Sequence, residues 1–209
     1  DLHSFPTRRS SDLQLVALSV DSKAQYVSVC NAAETLLVHR AIAADFLPAL
    51  KSAMERAHVT LRGDAKVQNY ISVYPATEAD WETEYLDYTL SVKIVDSLNE
   101  AICHINRYGS GHTDAIVTEN GDAAKRFTTL VDSAGVYVNA STRFADGYRY
   151  GFGAEVGIST GKLHARGPVG LEGLVSYKYK LIGHGQIVAD YANGQAQFTH
   201  RSLQKKCPL

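Results

Sequence analysis

From Gln14 onward the chain alternates two hydrophobic rhythms, which restricts it to folds that interleave helices with strands. Between Ala41 and Ala57 the residues Ile42, Phe46, Leu50 and Met54 recur four apart and share one helical face, leaving Asp45, Lys51 and Arg56 to water. Tyr88 to Val95 reads as a strand. Asp96 and Ser97 then cap a helix that runs through Tyr108, with Leu98, Ile102 and Ile105 as its buried stripe. Ala115 to Thr118 reads as a strand, Asp122 to Val131 as a helix and Gly135 to Val138 as another strand, which repeats the strand-helix-strand plan. The expected fold class is α/β.

Two later stretches break this rhythm. Between Gly147 and Gly173 glycine is dense, a composition that lets backbone approach a ligand closely or turn tightly, and we read it as a loop closing over substrate. It does not open a helix after a strand in the GxGxxG spacing, so it is not a dinucleotide fingerprint. Leu174 to Ile182 alternates as a strand, with Tyr177 and Tyr179 on one face and Lys178 and Lys180 on the other. From Asn193 the chain reads as a loosely held tail.

Charge excludes several functions. With 209 residues, 45% of them hydrophobic, the chain can bury a sizeable core, while a net charge of -1 from interspersed signs leaves no basic stripe for nucleic acid and no polybasic segment for a membrane. A small molecule or another copy of the chain is the expected partner. Cys30, Cys103 and Cys207 form neither a paired framework nor a CxxC motif, a pattern suited to a reducing cytoplasm. His104 and His112 lack metal-ligand spacing with an acidic or cysteine partner, so no metal is expected.

The first thirteen residues, Asp1 to Leu13, match codon for codon the translation of a sequencing-library adapter. They are expected to be non-native and are excluded from fold reasoning. On this reading the natural protein starts well before Gln14, its amino-terminal part here being replaced.

Four runs carry a specific resemblance: Cys30-Asn31-Ala32-Ala33-Glu34-Thr35-Leu36-Leu37-Val38, Asn139-Ala140-Ser141-Thr142-Arg143-Phe144, Gly153 to Thr160, and His164-Ala165-Arg166-Gly167-Pro168. In this order they resemble the glutamate-5-semialdehyde dehydrogenase (γ-glutamyl phosphate reductase) family of the aldehyde dehydrogenase superfamily, and the likeness extends through Tyr85 to Val95 and His112 to Val117. The resemblance implies an aldehyde-dehydrogenase-like catalytic domain over residues 14–173, part of it returning to the cofactor domain. An oligomerisation strand arm follows over 174–192 and a tail over 193–209, with most of the dinucleotide-binding domain missing. It also implies NADPH-dependent reduction of γ-glutamyl phosphate in proline biosynthesis, a homo-oligomer, and a glutamate 5-kinase as separate or fused partner. A chain without its cofactor domain could instead serve only subunit assembly, and alone it is expected to be inactive. One departure is that Tyr26-Val27-Ser28-Val29 contains none of the proline the family usually carries just before its cysteine.

Through the same resemblance Cys30 becomes the expected nucleophile. A thiolate suits the task because its thioester accepts hydride readily and then expels sulfur, whereas a serine ester would not. The substrate's carboxylate and phosphoryl group call for fixed positive charge, for which Arg143 and Arg166 are candidates; each could equally be a structural clamp on Glu155 or Asp146. Asn31, Asn139, Ser141 and Thr142 are neutral candidates for the substrate's amino-acid end, and the last three could equally close a turn. Glu84 sits where aldehyde dehydrogenases carry a glutamate that contacts the nicotinamide ribose. His164 is read as an ordinary loop histidine.

Overall fold

The computed structural model describes residues 10–201, the first four as backbone only; residues 1–9 and Cys207 lie outside them. The chain divides into a larger unit, residues 1–175, and a smaller one, residues 176–209.

The larger unit is built around a four-stranded parallel sheet. Its strands β1 (Thr35–His39), β2 (Thr60–Gly63), β3 (Tyr74–Pro75) and β4 (Thr89–Val95) lie in the spatial order β1-β4-β2-β3. Central β4 buries Leu90, Ser91, Val92, Ile94 and Val95 because a strand flanked on both edges and covered on both faces has little surface left for water. Helices α1 (Ser10–Ala24) and α2 (Ala43–Arg56) cover the sheet. The predicted face of α2 is the one that packs: Phe46, Leu50 and Met54 are buried with Leu47, and Ile42 is partly buried in a short 3-10 turn before the helix. Burying each of these side chains contributes about 2 kcal/mol against the entropy of ordering it. Helix α1 was not expected; Leu15, Val16, Val20 and Ala24 place it against the same core.

A second layer follows. Helix α3 (Leu98–Tyr108) starts at Ser97, whose hydroxyl accepts from the Glu100 N–H as a cap. Strands β5 (Thr113–Ile116) and β6 (Gly135–Val138) pair in parallel through the crossover helix α4 (Gly121–Leu130), and Ile102, Phe127 and Val131 form their core. Strand β5 begins two residues before the expected start at Ala115, which brings His112 to its entrance.

The glycine-dense segment differs from the expected loop. Within it β7 (Gly157–Ser159) and β8 (Gly167–Val169) pair antiparallel, and Gly167 enters β8 at φ +81°, a conformation that strains any residue with a Cβ. The strand expected over Leu174 to Ile182 is also not seen: Leu174 ends a short helix α5 (Leu171–Leu174), and the residues after it pair with no strand among the described residues. A strand needs a neighbouring edge to bond its backbone, and among the described residues of the smaller unit, where α6 (Val188–Ala192) is the one regular element, none adjoins this one.

His104 on α3 is buried against Trp81, ring edge to face at 5.5 Å, and its Nε2 has no hydrogen-bond partner. Burial first, and then the Lys93 ammonium, push its imidazole down to about 4. Because an unfolded histidine titrates near 6.5, the unfolded chain binds more protons between those values, and stability falls as pH falls through that window. His104→Leu should therefore reduce the loss of stability between about pH 7 and about pH 4.5 by about 2 kcal/mol, measured by urea unfolding. Equal losses in the two proteins would contradict this assignment.

Candidate active site

Cys30 lies in the turn between α1 and β1, and the turn is fastened on three sides. From α1, the Ser22 carbonyl accepts the Ala33 N–H at 2.8 Å. From the 3-10 turn Thr142–Phe144, the Thr142 hydroxyl donates to the Asn31 carbonyl at 2.7 Å, while the Asn31 amide donates to the Ala145 carbonyl at 2.8 Å. From the loop before β4, the Leu86 carbonyl accepts the Ser28 hydroxyl at 3.2 Å. Leu86 itself holds φ at +52°, a left-handed conformation that a leucine adopts at a cost of roughly 1 kcal/mol.

Beneath the turn, fully buried Lys23 donates to Glu34 at 2.6 Å and lies 5.7 Å from the centre of the Tyr85 ring. Burial raises the Glu34 carboxyl above its ordinary value although Lys23 pulls it down. Tyr85 in turn bonds Asp80 and Ser91, both at 2.7 Å, which carries the network into β4.

The Cys30 residue is exposed, yet its sulfur is partly shielded from solvent. That shielding raises the thiol first, a backbone hydrogen bond opposes it, Glu155 and Glu84 raise it further, and Arg143 lowers it. His112, buried at the entrance to β5, brings Nε2 to 3.2 Å from Cys30 Sγ and Nδ1 to 2.8 Å from the Thr113 hydroxyl. Burial holds this imidazole below its ordinary value, against the pull of Glu155 and Glu84. His112 was considered in the sequence only as a metal ligand; its position beside sulfur depends on a fold that joins residues 82 apart.

The sequence candidates divide between this centre and its surroundings. Arg143 is buried, faces Cys30 electrostatically and donates from Nε to Gln25 at 2.9 Å; burial first, then Arg149, hold it below its ordinary value, still a cation at neutral pH. Ser141 is buried behind it, accepting from the Ser22 hydroxyl and the Arg143 N–H, both at 3.2 Å. Asn31 and Thr142 tie the turn as described. Glu84 is exposed near Cys30.

Arg166 is engaged elsewhere: it clasps Asp132 at 3.1 Å beside Lys162, rather than the Glu155 or Asp146 considered as clamp partners. Glu155 accepts the Gly147 N–H at 2.7 Å, and Asp146 pairs with Arg149 at 3.9 Å. Asn139, at φ +55°, closes the strand ends, accepting from the Thr118 N–H at 2.8 Å and donating to its carbonyl at 2.9 Å. Exposed His164 adds nothing to the centre. No group of acidic, histidine and cysteine side chains among the described residues could hold a metal, and none of the described helices is long and apolar enough to cross a membrane. Cys103 is exposed on α3.

No family model matches the chain. A gamma-glutamyl phosphate reductase of Acetivibrio thermocellus is 61% identical over 194 residues, which cover 93% of this chain and 45% of the relative. The crystal structure of gamma-glutamyl phosphate reductase from Thermotoga maritima superposes with a TM-score of 0.82 at 47% identity, over 84% of this chain and 43% of that one. An acetylating aldehyde dehydrogenase of Geobacillus thermoglucosidasius shares the fold at a TM-score of 0.56 and 18% identity, over 82% of this chain and 49% of the other. The chain spans about half the length of the curated relatives it matches.

The buried pair under the turn makes a direct test. Lys23→Met leaves Glu34 without its partner and should cost about 3 kcal/mol, with Lys23→Met/Glu34→Leu regaining most of that loss in urea unfolding. A single variant as stable as its parent would contradict the role given to the pair.

Proposed function

Taking as premise that the chain is homologous to the γ-glutamyl phosphate reductase family across nearly its whole length, we propose that it carries the acyl-transfer centre of such an enzyme. The intact protein reduces γ-glutamyl phosphate to glutamate 5-semialdehyde and releases phosphate, as a step of proline biosynthesis. The observation that carries this reading is the exposed Cys30 residue on a fastened turn, its sulfur 3.2 Å from a buried histidine and under the electrostatic influence of buried Arg143.

On this reading Cys30 attacks the acyl carbon and forms a thioester with loss of phosphate. Arg143, unpaired with any carboxylate within salt-bridge distance among the described residues, is the cation available to the phosphoryl group or the substrate carboxylate. Arg166 serves the substrate only if it leaves Asp132. Ser141, Thr142 and Asn31 act chiefly by holding Arg143 and Cys30 in register, and Asn139 by shaping the strand ends beside them.

The aldehyde-dehydrogenase-like neighbours imply a nicotinamide dinucleotide, which supplies the hydride that reduces the thioester. NADPH is our proposal. Exposed Glu84 fits a contact to its ribose, but the rest of a dinucleotide cradle is not formed by the described residues: β4 enters α3 through Asp96 and Ser97, with no glycine turn. This incomplete cradle favours a second reading in which the chain alone is inactive and serves only assembly. Tyr177, Tyr179, Leu181 and Ile182 are exposed, a composition suited to an arm that pairs with another copy. A cytoplasmic enzyme supplied by a glutamate 5-kinase, separate or fused, completes the proposal.

The test is to generate γ-glutamyl phosphate in place with glutamate, ATP and a glutamate kinase, and to map glutamyl adducts by peptide mass spectrometry. An adduct on the Cys30 peptide that disappears in Cys30→Ala is expected. When the chain is joined to its upstream coding sequence, the same substitution should cut phosphate-dependent NADP reduction by glutamate semialdehyde by about a thousandfold or more. Retained activity would remove Cys30 from the mechanism, and an inactive parent protein would favour the assembly reading.

A further inference from the structure

We propose that His112 is the base that takes the Cys30 proton as sulfur attacks, a role that rests on the thioester reading above. The geometry is specific. Nε2 stands 3.2 Å from Sγ and Nδ1 2.8 Å from the Thr113 hydroxyl; in the tautomer that donates its Nδ1 proton to this hydroxyl, the Nε2 lone pair faces the thiol. His112 is 6% exposed, so neither its ring nor its contact with sulfur is at the mercy of solvent. The Gly135 N–H bonds to the His112 carbonyl at 2.9 Å, and the Ser110 hydroxyl accepts the His112 N–H at 3.3 Å, so the backbone that carries the ring is itself fixed.

The charged groups around the pair set how it works. Glu155 from the glycine-dense segment and Glu84 from the loop before β4 face both Cys30 and His112, while Arg143 from the Thr142–Phe144 turn faces the sulfur. Burial raises the thiol and lowers the imidazole, and both directions favour a resting pair of neutral thiol and neutral imidazole over a standing thiolate-imidazolium pair. Proton transfer therefore accompanies attack. The S–H bond breaks and an N–H bond forms at Nε2, while the sulfur electron pair makes the bond to the acyl carbon. The carbon-oxygen bond to phosphate then breaks, phosphate leaves with that pair, and its oxygen takes the proton back from Nε2. Neutral His112 is restored and the thioester remains.

Iodoacetamide alkylation of the 209-residue chain isolates this role, because it needs neither acyl phosphate nor reductant. Peptide mass spectrometry follows Cys30 from mildly acid to alkaline pH, with exposed Cys103 as internal control. At neutral pH His112→Gln should slow Cys30 by about tenfold to a hundredfold, and the two rates should converge at alkaline pH, where the thiolate forms without a base. Thr113→Val, which keeps the ring but removes the Nδ1 partner, should give an intermediate loss, and near-ultraviolet circular dichroism checks that each variant folds. Equal neutral-pH rates in parent and His112→Gln would overturn the proposal. So would a parent rate that stays flat into acid, which marks a standing ion pair. A glutamyl adduct that fails to form while the alkylation pattern holds would refute the substrate and leave His112 as the base of a different acyl transfer.

Discussion

The candidate site depends on the ties that bind the Cys30 turn to the Thr142–Phe144 turn. Asn31 donates its side-chain amide to the Ala145 carbonyl and accepts the Thr142 hydroxyl at its own carbonyl, so one residue beside the cysteine is held twice, through buried hydrogen bonds, by a segment more than a hundred positions away. A buried carbonyl left without a donor costs about 1–3 kcal/mol, so these bonds matter more for what their loss would cost than for what they add. The same turn carries Arg143, so the ties that place the sulfur also place a cation whose charge acts on it.

Each layer of the fold contributes one wall. The parallel sheet with α2 supplies the rigid floor from which β1 departs directly after the turn. Helix α1 and the bend just after it deliver Ser22, Lys23 and Gln25 to three different partners: the backbone after Cys30, the Glu34 carboxylate and the Arg143 guanidinium. Strand β5 delivers His112 and the Gly147–Glu155 region a carboxylate. Together these surround the thiol with one imidazole, one cation and two acidic groups, an arrangement in which small changes of charge shift reactivity.

Much of this was legible in the residues. The four-apart spacing of Phe46, Leu50 and Met54 and the Ser97 cap specify local elements, and local rules read them correctly. The α/β class was also legible, but β1, which directly follows the cysteine motif, was not among the expected elements. Helix α1 was not read, because Val16, Val20 and Ala24 form a short stripe of small side chains that little distinguishes from turn sequence. The segment Leu174–Ile182 has strand composition but no neighbouring edge, and pairing is a property of the neighbour as much as of the strand. The partners of Arg166 and Asn139, and the approach of His112 to sulfur, are long-range outcomes of packing that no spacing within a motif encodes.

The ties through Asn31 hold the nucleophile in place, and hydrogen-deuterium exchange of the turn reads whether they do. In Asn31→Ala/Thr142→Val, which removes both the Asn31 amide bond to Ala145 and the Thr142 hydroxyl bond to the Asn31 carbonyl, the Ala32 and Ala33 amides, which bond to Val29 and Ser22, should exchange about tenfold or more faster than in the parent, while the amides of β4 stay unchanged. Unchanged protection at Ala32 and Ala33 would contradict the account, because the turn would then keep its shape without the bonds said to fasten it.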